Sequence, residues 1–105
     1  MKILDRAELL GDKELEHEAK SFLVFILTTA KNRQFGEVQE NGDVLVPFSF
    51  SFLAESKQER LKKVCNFYGI RITKKIVEYV VIPKKLLQEY TYDEIVDNIK
   101  KDFEW

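Results

Sequence analysis

Residues Glu37 to Phe52 read EVQENGDVLVPFSFSF, and the way this stretch pairs decides the fold. Asn41-Gly42 is the favoured pair for the two-residue turn of a β-hairpin, because both central positions of that turn need positive φ. Pairing outward from it sets Gln39 opposite Val44, Glu37 opposite Val46 and Phe35 opposite Phe48. On the second arm Val44, Val46, Phe48, Phe50 and Phe52 then point one way, and Ser49 and Ser51 the other. Pro47 has no N–H to donate, which puts this arm at a sheet edge or leaves one side open there.

Upstream of the hairpin, Leu15, Ala19, Phe22, Leu23, Ile26 and Ala30 form one stripe of a helix over 12–31. Asp12 is a fitting N-cap for it. Val24 and Phe25 fall off the stripe, and the β-branched and aromatic content of FLVFILTT keeps a second reading open. In that reading a short helix ends near Lys20 and 21–29 is a strand. Downstream, Ser56 and Glu59 have capping-box spacing before a helix whose inner face is Leu61, Val64, Cys65 and Tyr68. Gly69 stops it. Residues 70–82 read as one strand-like segment, apolar on both faces from Ile76 to Ile82 apart from Glu78, as in a central strand. Pro83 ends it and opens a short helix to about Tyr90. A second capping box at Thr91 precedes a closing helix with Tyr92, Ile95, Val96, Ile99 and Phe103 on one face. The expected fold is α+β: a small, mostly antiparallel sheet packed with three or four helices.

The chain of 105 residues suits one domain spanning 1–105. Its 45% apolar and 33% charged content is that of an ordinary globular protein, and 12% aromatics argue against disorder. A single cysteine, Cys65, excludes a disulfide framework and fits a reducing, cytoplasmic setting. The longest apolar run, Phe22 to Leu27, has six residues against the roughly 20 a membrane span needs, so no membrane partner is expected.

Charge is uneven beneath the net of -1. Residues 57–85 carry nine cations against Glu59 and Glu78, a local +7, while acids gather toward both ends of the chain. The plain reading is that the acidic ends fold back on the basic middle.

Catalytic chemistry finds little support. His17 stands alone among Glu14, Glu16 and Glu18 on the polar side of its helix, where a zinc site would want several His or Cys ligands. Cys65 faces the core, unlike a nucleophilic thiolate. No P-loop, G-x-G-x-x-G, G-x-S-x-G or H-E-x-x-H pattern is present. Neither a catalytic activity, a cofactor nor a metal is therefore expected.

The sequence points instead to a small non-catalytic interaction module: a regulator, inhibitor or accessory subunit. Its expected contacts with a protein partner or second copy are Phe48, Phe50 and the terminal Trp105, aromatic anchors of the kind that dominate interfaces. The alternative is a nucleic-acid-binding domain, or one for an acidic partner, using Arg60, Lys62, Lys63, Lys74, Lys75, Lys84 and Lys85 on phosphates. In that reading Phe67 would stack beside Arg60 and Lys63, with the two lysine pairs flanking the same surface.

Overall fold

The structure, a computed structural model, describes residues 2–32, 37–91 and 94. Leu4–Leu10 forms a 3-10 segment ahead of helix α1 (Lys13–Asn32). Strands β1 (Glu37–Val38) and β2 (Val44–Pro47) follow, then a 3-10 turn at Phe50–Phe52 and helix α2 (Glu55–Tyr68). Strands β3 (Arg71–Lys74) and β4 (Glu78–Ile82) lead into helix α3 (Lys84–Glu89). The architecture is α+β. All sheet pairings are antiparallel and the order is β1-β2-β4-β3.

Residues 21–29 belong to α1, so one continuous helix wins over the helix-then-strand reading. The whole apolar stripe is buried together with Leu27, and the off-stripe Phe25 is exposed. A twenty-residue helix laid across a sheet buries one stripe, and this overrides the strand propensity of its β-branched residues. Asp12 caps it as expected: its Oδ1 accepts the N–H groups of Glu14 (2.9 Å) and Leu15 (3.3 Å). α2 starts one residue earlier than Ser56. Its N-cap position is Ala54, without a side-chain bond, and Gln58 Nε2 donates to the Leu53 carbonyl at 2.8 Å. Gly69 ends α2 at φ 72°.

The hairpin exists, but its register differs by one. The Gly42 N–H donates to the Gln39 carbonyl (2.9 Å) and the Gln39 N–H to the Asp43 carbonyl (2.8 Å). The loop is therefore the three residues Glu40, Asn41 and Gly42, with Gly42 as the left-handed residue at φ 91°. Val38 then faces Val44 and Glu37 faces Leu45. Asn-Gly serves both loop types, and moving the turn by one residue exchanges the faces of the first arm. Asp43 also joins the loop to α3, its Oδ1 accepting the Lys84 N–H at 2.9 Å.

The second arm is shorter than its alternating pattern implies. β2 ends at Pro47, Val44, Leu45 and Val46 are all buried, and Phe48, Phe50 and Phe52 do not share a face. β2 lies inside the sheet, paired with β4 along Val44–Pro47, so it is not an edge strand; among the described residues β1 reaches only Val44 and Leu45, which leaves the other side of Pro47 open, the second of the two expected arrangements. The segment 70–82 is likewise two strands. A tight connection at 75–77, with the Lys75 N–H on the Val77 carbonyl (3.1 Å), folds β3 back on β4. β4 is central as expected, but Ile76 and Val77 stand at the turn and are exposed.

Val44, Val46, Val80 and Ile82 on one sheet face share a core with α1, α2, α3 and the N-terminal segment. Leu45 and Val81 face the opposite way and are also buried, in a row flanked by Glu37 and Arg71. Buried polar groups are satisfied: the Tyr68 hydroxyl donates to the Ile3 carbonyl (2.7 Å), and Tyr90 Oη pairs with Thr28 Oγ1 (3.2 Å). Of the segment expected to form a closing helix, only Glu94 is within the described residues. The expected inner face of Tyr92, Ile95, Val96, Ile99 and Phe103 lies outside them.

Two predictions arise here. Gly42→Val should cost about 1–2 kcal/mol or more, because a β-branched residue resists positive φ. Its Cβ would also fall 2.6 Å from Lys84 Cδ. The Lys84 side chain is able to swing aside, but the backbone strain stays. A lowered urea midpoint is the expected result, and an unchanged one would refute the loop geometry.

The second concerns Glu94, a buried carboxyl that accepts the Leu4 N–H. Burial raises its pKa, against the opposing pull of that bond and of Lys2 and Arg6, while Asp5 pushes further upward. A raised folded pKa means that the folded state holds the proton more tightly. Its stabilising contribution is then full below the ordinary carboxyl pKa of about 4.3 and is lost as pH rises through the folded value. Glu94→Gln keeps an acceptor oxygen for Leu4 and removes the charge. Its stability advantage over the wild type should grow as pH rises above the ordinary carboxyl range of about 4.3 in urea titrations. An advantage that shrinks with pH would contradict this.

Candidate functional site

The aromatic segment after β2 organises one end of the molecule. Pro47 ends β2, and the chain turns through Phe50–Phe52 before α2 begins. Phe50 packs inward, with ring centroids 4.7 Å from Phe48 and 6.3 Å from Phe22. Phe48 meets Phe22 edge-on at 5.0 Å and Phe25 at 6.3 Å. The turn is pinned to β4, since Glu78 Oε1 accepts both the N–H (3.0 Å) and the hydroxyl of Ser51. These bonds, more than Lys74 and Lys62, hold the Glu78 carboxyl below its ordinary pKa.

Between this segment, α1 and α2 runs a groove of about 340 Å³. Phe22, Phe48, Leu53 and Leu61 line it, Phe25 stands on its margin, and His17, Glu18, Ser21 and Lys57 complete the rim. Phe25 is 55% exposed, so an aromatic face is open to solvent beside an apolar hollow. Arg60 crosses from α2 to Glu18 of α1, its Nη2 3.0 Å from Oε1 and its Nε 3.0 Å from Oε2. This two-point contact closes one side of the rim and keeps Arg60 charged, helped by Glu14 and Asp12.

The expected contact residues separate. Phe48 lines the groove. Phe50, at 1% exposure, is a core residue, and that burial takes it away from any direct contact with a partner. Trp105 lies outside the described residues. The basic residues are distributed over α2, the β3–β4 connection and the start of α3. Arg60 is tied to Glu18; Lys63 is exposed on α2, and Phe67 packs edge-on against Tyr68 at 5.2 Å. Lys62 and Lys74 lie around Glu78 and Lys75 follows, whereas Lys84 and Lys85 start α3 at the other end of β4. The five residues of β4, whose four steps of about 3.3 Å span about 13 Å, separate the two lysine pairs. Lys84 instead borders a hollow of about 430 Å³ with Lys31, Val38 and Leu87.

Sequence reasoning missed Phe25, Phe52, Ile76 and Val77 as surface residues. Phe25 carried a signal, since it falls off the helical stripe. Phe52 was masked by the alternating pattern, and Ile76 and Val77 by an apolar run with no turn residue in it.

Cys65 is buried, and desolvation pushes its thiol up to about 12, which keeps it protonated and inert near neutrality. His17 is exposed on the groove rim. Among the described residues no three His, Cys, Asp or Glu side chains converge as a metal site would need. Among them, too, no helix is long and apolar enough to cross a membrane. No family model matches the chain, and no curated protein or solved structure is significantly similar to it.

Proposed function

We propose that this chain is a small, non-catalytic interaction module of the cytoplasm that binds a partner protein through the groove between α1 and α2. The observation that carries this reading is the exposed Phe25 beside a hollow lined by Phe22, Phe48, Leu53 and Leu61. An exposed aromatic next to an apolar recess offers the desolvated centre around which protein interfaces gather their binding energy. The rim of His17, Ser21, Lys57 and the Glu18–Arg60 pair supplies the polar surround of such a centre. The partner side chain suited to this hollow is a single large apolar anchor, presented by a helix or an extended segment. The sealed thiol of Cys65 supports the non-catalytic part of the reading, since it removes the chain's one sulfur nucleophile from reach. The nucleic-acid alternative has less support, because its two lysine pairs stand at opposite ends of β4 and Arg60 is held by Glu18.

A photo-crosslinking side chain at position 25 should capture a defined protein that the same group at position 9 does not, since Leu9 is exposed on the N-terminal segment. With that protein purified, Phe25→Ser should weaken binding by tenfold or more while leaving thermal stability within about 0.5 kcal/mol of wild type. Equal capture at both positions, or unaltered affinity in Phe25→Ser, would sink the proposal.

A further inference from the structure

A second surface, independent of the groove, lies where β3 turns into β4. Ile76 is 98% exposed and Phe52 90%, the two highest values among the large apolar side chains of the described residues. Val77 is partly exposed beside Ile76. Both sites are held in place: the 75–77 turn by its own backbone bond, and the Phe50–Phe52 turn by Ser51 on Glu78. Apolar side chains distant in sequence therefore protrude from ordered turns at one end of the sheet.

Lysines surround them. Lys74 and Lys75 directly precede Ile76, and Lys62 of α2 lies close enough to act on Glu78 together with Lys74. Among the described residues Lys62, Lys74 and Lys75 make no ion pair. Glu78, the carboxylate at this spot, is occupied by two Ser51 donors.

Protruding apolar tips need a partner that yields around them. A folded protein must offer a matching recess for each tip. A bilayer interface takes a single Phe or Ile by displacing lipid, and its anionic headgroups attract adjoining lysines. We propose that this end of the domain docks peripherally on an anionic lipid surface, with Phe52, Ile76 and Val77 entering the headgroup boundary and Lys62, Lys74 and Lys75 meeting the headgroup charges. A chain without a membrane-spanning helix can bind in this way, because only side-chain tips leave the water.

The test is co-sedimentation of the full chain with vesicles of phosphatidylcholine plus phosphatidylserine, and with vesicles of phosphatidylcholine alone. Binding is expected only to the first and should weaken with salt. Lys74→Ala and Lys75→Ala should each lower partitioning about fivefold. Ile76→Ser combined with Phe52→Ser should lower it by tenfold or more, with melting unchanged because these side chains are exposed. Phe25→Ser should leave it as in wild type, which separates this surface from the groove. Three results would overturn the proposal: no binding to either vesicle at low salt, equal binding to both, or binding that ignores the Ile76 and Phe52 changes. Retention on a DNA duplex through the same lysines, without vesicle binding, would overturn it in favour of nucleic acid.

Discussion

Phe50→Ala should destabilise the domain by about 3–5 kcal/mol, the usual cost of emptying a buried phenylalanine site. The ring is fully buried and touches Phe22 and Phe48, so its removal leaves a hole between α1 and the segment that follows β2. A domain of this size has about 5–15 kcal/mol in total, so the loss is a large share of it. Phe52→Ser, two residues away and exposed, should change stability by no more than about 0.5 kcal/mol. Urea unfolding of the two variants side by side measures the contrast. A Phe50→Ala cost below about 1 kcal/mol would mean that the turn is only loosely attached, and that Phe50 is free to serve as a contact residue after all. The pair of results thus separates a structural aromatic from a surface one within a single FSF tripeptide.

Leu23→Ala should cost about 2–5 kcal/mol. Leu23 is fully buried on α1, at the centre of the stripe that contacts the sheet. The cavity would open where the helix crosses the sheet, and the rigid packing on both sides limits collapse into it. Phe25→Ala, on the other face of the same helix, should cost well under half as much. If residues 21–29 were a strand, Leu23 and Phe25 would share a face and the two substitutions would cost similar amounts. Equal losses in chemical denaturation would therefore refute the helix, and unequal ones with Leu23 the larger are expected.

The sequence by itself determined the elements whose signals are local. The stripe from Leu15 to Ala30 and the Asp12 cap define α1, because burial of one helical face needs only the 3.6-residue period. The inner face Leu61, Val64, Cys65, Tyr68 and the stop at Gly69 define α2 in the same way, and Pro83 marks the end of β4 and the start of α3. Asn41-Gly42 announced a hairpin. It did not announce which of two loops forms, because both use an Asn-Gly pair; the loop sets only which face of the first arm each β1 residue takes, and leaves the pairing of β2 with β4 untouched.

The candidate surfaces depended more heavily on tertiary structure. In VLVPFSFSF every second residue from Val44 to Phe52 is a valine or phenylalanine, yet the chain leaves the sheet after Pro47 and Phe50 is seated against Phe22 and Phe48. The run from Ile70 to Ile82 contains no Gly, Pro or Asn to mark a turn, so its folding at Lys75–Val77 was invisible locally and left Ile76 in water. The basic segment 57–85 is contiguous in sequence, but β4 carries its lysine pairs to opposite ends and Glu18 takes Arg60. Periodicity states which residues share a face of an element. Whether that face is covered, and which charges meet, is settled only when a helix from elsewhere in the chain lies down on it.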